Sequence, residues 1–152
     1  MVAIYELSPP LEGTFLGEAR MLPDLVRWLR LTRRIRGDSL LVQEMPLNGR
    51  RVDLAVMTRS GALSAFELKL GGFGRVLEQA AYNRLSFDRS WIVIESQPRS
   101  ENIAAAREFG IGVIVVRGSK PAILVRPGHA GPDPALRARV TSRLRKIEAE
   151  IV

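Results

Sequence analysis

Asn48 and Gly49 constrain the fold of this chain more than any other pair of residues. They lie between two strand-like runs, Ser39–Leu47 and Arg50–Thr58. A two-residue hairpin loop needs positive φ at both positions, and Asn-Gly supplies it readily. Pairing Leu47 with Arg50 and counting outward sets Glu44 opposite Asp53. Arg59-Ser60-Gly61 reads as a second, three-residue loop with Gly61 in the left-handed position. Pairing Thr58 with Ala62 then sets Asp53 opposite Glu67. Directly opposed residues share a face of the sheet. Glu44, Asp53 and Glu67 therefore form one acidic row, with Lys69 two residues further along the same face.

Three carboxylates in a row repel one another, and the simplest use for such a row is to hold a divalent metal through oxygen ligands. Ala55 and Ala65 neighbour the row on that face, and their small side chains would leave room for a ligand. The opposite face reads as core, in rows Met45–Val52–Leu68 and Gln43–Leu54–Phe66, and the alternation supports the register. The plainer alternative is a solvated sheet face on which Glu67 and Lys69 form an ordinary ion pair.

The rest of the chain supplies the layers. Residues 1–16 carry Pro9, Pro10 and Gly13 and read as a lead-in arm. Residues 17–36 read as a helix with an apolar stripe of Leu22, Leu25, Val26, Leu29 and Leu31; Pro23 fits its first turn. After the meander, Gly71-Gly72-Phe73-Gly74 reads as a connector into a helix over 75–86, although such a loop could also cradle phosphate. A strand at Trp91–Glu95, a helix at Ser100–Phe109 ending at Gly110, and strands at 111–116 and 122–125 follow. A loop leads to a basic helix over 134–152. Its stripe of Leu136, Val140, Leu144, Ile147 and Ile151 either docks on the domain or pairs two chains. This order implies a single α/β domain over 1–152, a mixed central sheet flanked by helices.

Here the residues resemble a family. Arg51-Val52-Asp53-Leu54-Ala55-Val56 followed by Ala65-Phe66-Glu67-Leu68-Lys69-Leu70 resembles the PD-(D/E)XK nuclease superfamily, with Val52 standing where the name-giving motif has proline. Gln79-Ala80-Ala81-Tyr82 resembles the Gln-x-x-Tyr element of its RecB-like branch. The resemblance spans roughly Glu18 to Val116. It implies a restriction-endonuclease-like αβββαβ core and a metal-dependent deoxyribonuclease using Mg²⁺, with Mn²⁺ able to substitute. Asp53, Glu67 and the Leu68 carbonyl would hold the metal, and Glu44 would complete or tune the site. Lys69 would act on water or phosphate, and Gln79 would hold the nucleophile or the scissile phosphate. Glu18 is either a supporting acid, as in some relatives, or a complement to its helix N-terminus. Tyr82 reads as packing.

Composition frames that reading. The formal net charge is +7, and of the 23 basic residues only Lys69, Lys120 and Lys146 are lysines. Arginine presents a bidentate fork to phosphate, although GC-rich coding gives the same bias. Arginines cluster at 27–36 and at 137–145, and Arg75, Arg139, Arg143 and Arg145 are the expected nucleic-acid contacts. DNA is the expected partner, in repair, recombination or defence. A catalytically silent DNA-binding or assembly subunit is the alternative, and a homodimer or a larger nuclease complex stays open. The chain has no cysteine, so no disulfide or thiolate metal site. It shows neither a membrane-span run nor a signal-peptide pattern, so a cytoplasmic protein without membrane contact is expected. His129, the only histidine, has no assigned role.

Overall fold

A computed structural model describes residues 3–6, 17–18, 20–128 and 131–151, and only the backbone of 3–6 and 151. The elements run β1 (Ala3–Glu6), α1 (Leu22–Leu31), β2 (Leu40–Leu47), β3 (Arg50–Met57), β4 (Leu63–Lys69), α2 (Phe73–Asn83), β5 (Arg89–Ile94), α3 (Ser100–Phe109), β6 (Gly112–Arg117), β7 (Lys120–Val125) and α4 (Pro134–Ile151). Strand β1 replaces part of the expected irregular arm and pairs in parallel with β2. Pro9, Pro10, Gly13 and His129 lie outside the described residues.

Both turns form as their residue chemistry requires. Asn48 has φ 53° and Gly49 74°, and Leu47 pairs with Arg50. Gly61 has φ 91°, and the Thr58 N–H donates to the Ala62 carbonyl at 3.0 Å. One seven-stranded sheet results, in the order β1-β2-β3-β4-β5-β6-β7. The crossover through α2 makes β4 and β5 parallel, with Glu67 level with Ile92. The mixed α/β core follows the expected αβββαβ order.

Helices cover both faces of the sheet. On one face, Leu25, Val26 and Leu29 of α1 pack with Leu41, Leu54, Phe66, Leu68, Trp91 and Val93. On the other, Val76 and Ala80 of α2 pack with Ile92, Ile94 and Val113. Beside them, Val140, Leu144 and Ile147 of α4 pack on Val42, Ala55, Leu63 and Ala65. Val140, Leu144 and Ile147 thus dock α4 on its own sheet, and each contributes about 1.5–3 kcal/mol by leaving water.

This placement corrects two expectations. Ala55 and Ala65 do not flank an open ligand space; they are fully buried beneath α4. Met45 and Val52 join the cluster under α4, whereas Leu68 belongs to the cluster under α1, so the expected row Met45–Val52–Leu68 is split. The register itself holds on both sides of the break, with Gln43 opposite Leu54 and Met45 opposite Val52. Between them Glu44 has φ 54°, and one left-handed residue interrupts the alternation of sides.

Arg137, the first arginine of the C-terminal cluster, is a clip. Its Nε donates to Asp88 Oδ1 at 2.7 Å, and its Nη2 donates to Asp88 Oδ2 at 2.9 Å and to the Gly61 carbonyl at 2.8 Å. Asp88 Oδ2 also accepts from the Leu63 N–H at 2.7 Å. The start of α4 is thereby tied to the β3–β4 turn and the head of β5.

Candidate functional site

The β3–β4 ladder is closed from Met57–Leu63 to Leu54–Phe66 and has no backbone pair beyond that point. The next residues outward are Asp53 and Glu67. Where the ladder opens, Asp53 Oδ2 takes the place of a backbone acceptor and receives the Leu68 N–H at 2.8 Å. The two carboxyl groups lie close enough to be hydrogen-bonded once one of them is protonated. Glu67 is 3% exposed, and Asn83 at the end of α2 donates from Nδ2 to its Oε1 at 2.9 Å.

The electrostatics are those of two acids sharing one proton. Burial, and after it the charge of Asp53, pushes the Glu67 carboxyl up to about 9. Burial also raises Asp53, opposed by the Leu68 N–H, by the hydrogen bond from Glu67 and by the charge of Lys69. Two carboxylates in contact cannot both ionise cheaply away from water. The pair therefore favours a form in which the two carboxyls share one proton.

Lys69 lies at the end of β4, two residues past Glu67 and on the same face, with 40% of its side chain exposed. Its Nζ is 3.6 Å from Glu18 Oε1. Burial raises the Glu18 carboxyl, the charge of Lys69 lowers it, and the charge of Asp53 raises it. Glu18 therefore belongs to the same electrostatic group.

Two expected members do not reach this group. Glu44 is buried, with Oε2 4.0 Å from Arg51 Nη1, and its charge is not among those acting on Asp53 or Glu67. Among the described residues no trio of acidic or histidine side chains forms a ready-made cation site, so the expected row of three is a row of two. The left-handed backbone at Glu44 accounts for this, because it turns the side chain out of the regular pleat. Gln79, half-buried one turn earlier on α2, makes no hydrogen bond to the site. Asn83 makes that contact instead. Its signal was present in the sequence: Val76, Ala80 and Asn83 fall at i, i+4 and i+7, so an amide occupies the apolar stripe of an amphipathic helix.

The remaining residues lie around this group. Tyr82 is partly exposed, with the Arg50 guanidinium 4.6 Å above its ring, which ties α2 to the hairpin. Arg75 is exposed in the first turn of α2. Arg139 and Arg143 line a groove of about 520 Å³ between α4 and the hairpin tip at Pro46–Asn48, and Arg145 is exposed on α4. Gly72 caps α2 with φ 64°, and a cavity of about 400 Å³ opens past the carboxyl ends of β4 and β5. Crevices at that end of parallel strands are the usual ligand positions in open α/β sheets.

No protein-family model matches the chain, and no curated protein matches it. Among solved structures it is similar to a protein of unknown function from Silicibacter pomeroyi, at 19% identity over 88% of this chain and 86% of that one, with a TM-score of 0.64. Pyrococcus furiosus SfsA, solved in complex with Ca²⁺, gives a TM-score of 0.37 at 13% identity over 74% of this chain and 61% of that one. The first likeness shows a shared fold; the second is too distant to carry an argument. Among the described residues, no helix is long and apolar enough to cross a membrane.

Proposed function

We propose that this protein is a PD-(D/E)XK-type, metal-dependent nuclease that hydrolyses phosphodiester bonds in DNA. The observation that carries the reading is the Asp53–Glu67 pair at the opening of the β3–β4 ladder, with Lys69 on the same face and Glu18 beside it. A buried pair that must share a proton is poised to exchange it for a cation. The donor set is all oxygen, which suits Mg²⁺ or Mn²⁺. The Leu68 N–H points at Asp53, and in an extended strand the carbonyl of the same residue is directed to the same side. Asp53, Glu67 and the Leu68 carbonyl would therefore hold the metal, with Glu44 left to the hairpin.

A bound divalent cation would supply charge neutralisation at the phosphate and acidify an attacking water. The chain's own residues do the rest. Lys69 Nζ, held by Glu18, would orient that water or stabilise the charge gathering on the phosphate oxygens. Asn83 fixes the Glu67 carboxyl, so its other oxygen keeps one direction. Exposed Arg139, Arg143 and Arg145 would contact backbone phosphates, and affinity should fall steeply with salt.

The test is direct. Purified protein is incubated with labelled single-stranded, duplex and branched DNA in Mg²⁺, Mn²⁺ or EDTA. Cleavage that needs metal is expected. Protein that binds both metal and DNA yet cuts none of these substrates would refute the reading.

A further inference from the structure

Arg34, Arg89 and Arg126 converge on a cavity of about 200 Å³, together with Trp91 and Pro127. Arg34 also borders a neighbouring cavity of about 730 Å³ that carries Arg33, Arg36 and Arg59, with Asp38 as its one acid. This arginine wall lies away from the carboxylates. Arg89 is level with Ser64, at the head of β4, whereas Glu67 is level with Ile92. Arg89 shares its side of β5 with Trp91 and Val93, which pack under α1; Glu67 lies on the opposite face.

The wall is short of negative charge. Asp88, the acid beside Arg89, feels the charge of Arg89, but its hydrogen bonds go to Arg137 and the Leu63 N–H. Asp38 lies 3.7 Å from Arg59. No carboxylate among the described residues pairs with Arg34, Arg89 or Arg126.

Arg34 is also held in place. Arg33 closes α1 at φ 58°, the Arg34 N–H donates to the Leu29 carbonyl at 2.8 Å, and its guanidinium lies 4.9 Å from the centre of the Trp28 ring. Burial, then Arg126 and Arg89, lowers the proton affinity of Arg34, as expected where like charges are gathered without counter-charge. Three guanidinium forks bordering one small space offer donors that suit an anion.

We propose that this arginine wall is a second nucleic-acid contact, in which one backbone phosphate enters the cavity between Arg34, Arg89 and Arg126 and adjoining phosphates lie along Arg33, Arg36 and Arg59. The cavity is smaller than the roughly 300–1,000 Å³ of ordinary small-molecule sites. It suits one phosphate group, and the basin beside it continues the track. Because the wall is on the opposite face from Asp53 and Glu67, the segment it holds is not the one presented to the carboxylates. The choice of nucleic acid as the phosphate source rests on the proposed function; the phosphate chemistry does not.

Trp28 and Trp91, the only two tryptophans, both belong to this region, so intrinsic fluorescence reads the site directly. The experiment is run in EDTA, so its outcome is independent of cleavage. Pyrophosphate is titrated against chloride at matched ionic strength, and an oligonucleotide is then added to displace it. Pyrophosphate should change the fluorescence beyond the chloride control, and its apparent affinity should fall as the oligonucleotide concentration is raised. The exposed pair Arg89→Gln/Arg126→Gln should bind pyrophosphate about tenfold more weakly or worse. No response beyond chloride, or unchanged affinity in the double variant, overturns the site. Pyrophosphate that the oligonucleotide cannot displace overturns the assignment to nucleic acid, a measurement that needs only wild-type protein.

Discussion

Two residues along each strand separate a dry core from a polar site. Ala55 and Ala65 are opposed in a closed ladder and sealed under α4, while Asp53 and Glu67, next on the same face, stand where that ladder has opened. The strands and the face are the same. The differences are the helix above and the backbone hydrogen bonds between. At the closed half, small side chains let Val140, Leu144 and Ile147 approach the sheet. At the open half, a carboxylate replaces a carbonyl as the partner of the Leu68 N–H. A small residue on a strand thus signals close approach by something, and here that something is a helix from the far end of the chain.

The largest expected effect tests the open half. Glu67→Ala should remove metal-dependent cleavage together with metal binding. Lys69→Ala should reduce cleavage by about 10²–10⁴-fold, the range for a lost acid–base or preorganised charge, while DNA binding and most metal affinity persist. Single-turnover rates with saturating DNA, set beside calorimetric Mg²⁺ binding, separate the two roles. A Lys69→Ala protein cutting at the wild-type rate would place the chemistry elsewhere.

The closed half comes next. Leu144→Ala should destabilise the fold by about 2–5 kcal/mol in denaturant unfolding, because the side chain is wholly buried between α4 and the sheet. The molecules that remain folded should still cut DNA. A loss well under 1 kcal/mol would mean that α4 is not the lid of this core.

The hairpin and its outcome could be read from the residues because local turn chemistry decides register: Asn48-Gly49 and Gly61 leave few alternatives. From that register the Asp53–Glu67 pair and the position of Lys69 follow by counting. The misreadings all depend on partners distant in sequence or on backbone that no residue type announces. Glu44 adopts a left-handed φ usually left to glycine or asparagine. The residues burying Ala55 and Ala65 come from α4, and Asp88 meets Arg137 49 positions away. Asn83 is legible as an amide within an apolar helical stripe, whereas the Gln-x-x-Tyr resemblance points to Gln79.

A third measurement separates the halves by pH. In EDTA, stability should fall as pH rises from about 5 to about 9. Glu67 has a folded-state value near 9 against an ordinary 4.5, so through that window the folded state holds the extra proton and loses ground as protons become scarce. The slope is at most about 1.4 kcal/mol per pH unit. Glu67→Gln should flatten it. With Mg²⁺ present the slope should also flatten, and metal binding at pH 7 should release about one proton, seen as a buffer-dependent heat. A pH-independent melting curve for metal-free wild type would remove the shared proton from the account.

The smallest effect is the most discriminating, because its sign opposes the usual result of altering a buried polar residue. Asp53→Asn should stabilise the metal-free protein by up to about 1 kcal/mol near pH 8. The amide oxygen can still accept the Leu68 N–H, so the plug in the opened ladder is kept. What disappears is a charge whose burial raises its own carboxyl and whose field raises Glu67. The single amide oxygen must then serve both the Leu68 N–H and the Glu67 proton, and that sharing limits the gain. Near pH 3, where both carboxyls of the wild type are protonated, the advantage should vanish. The same variant should lose the rise in melting temperature that Mg²⁺ gives the wild type, because the free energy of metal binding is linked to folding through the site it needs. Denaturant midpoints at the two pH values, with and without Mg²⁺, make the comparison. A variant less stable than wild type at pH 8 would mean that the carboxylate is repaid within the fold, as a structural acceptor rather than a charge held in reserve for a cation.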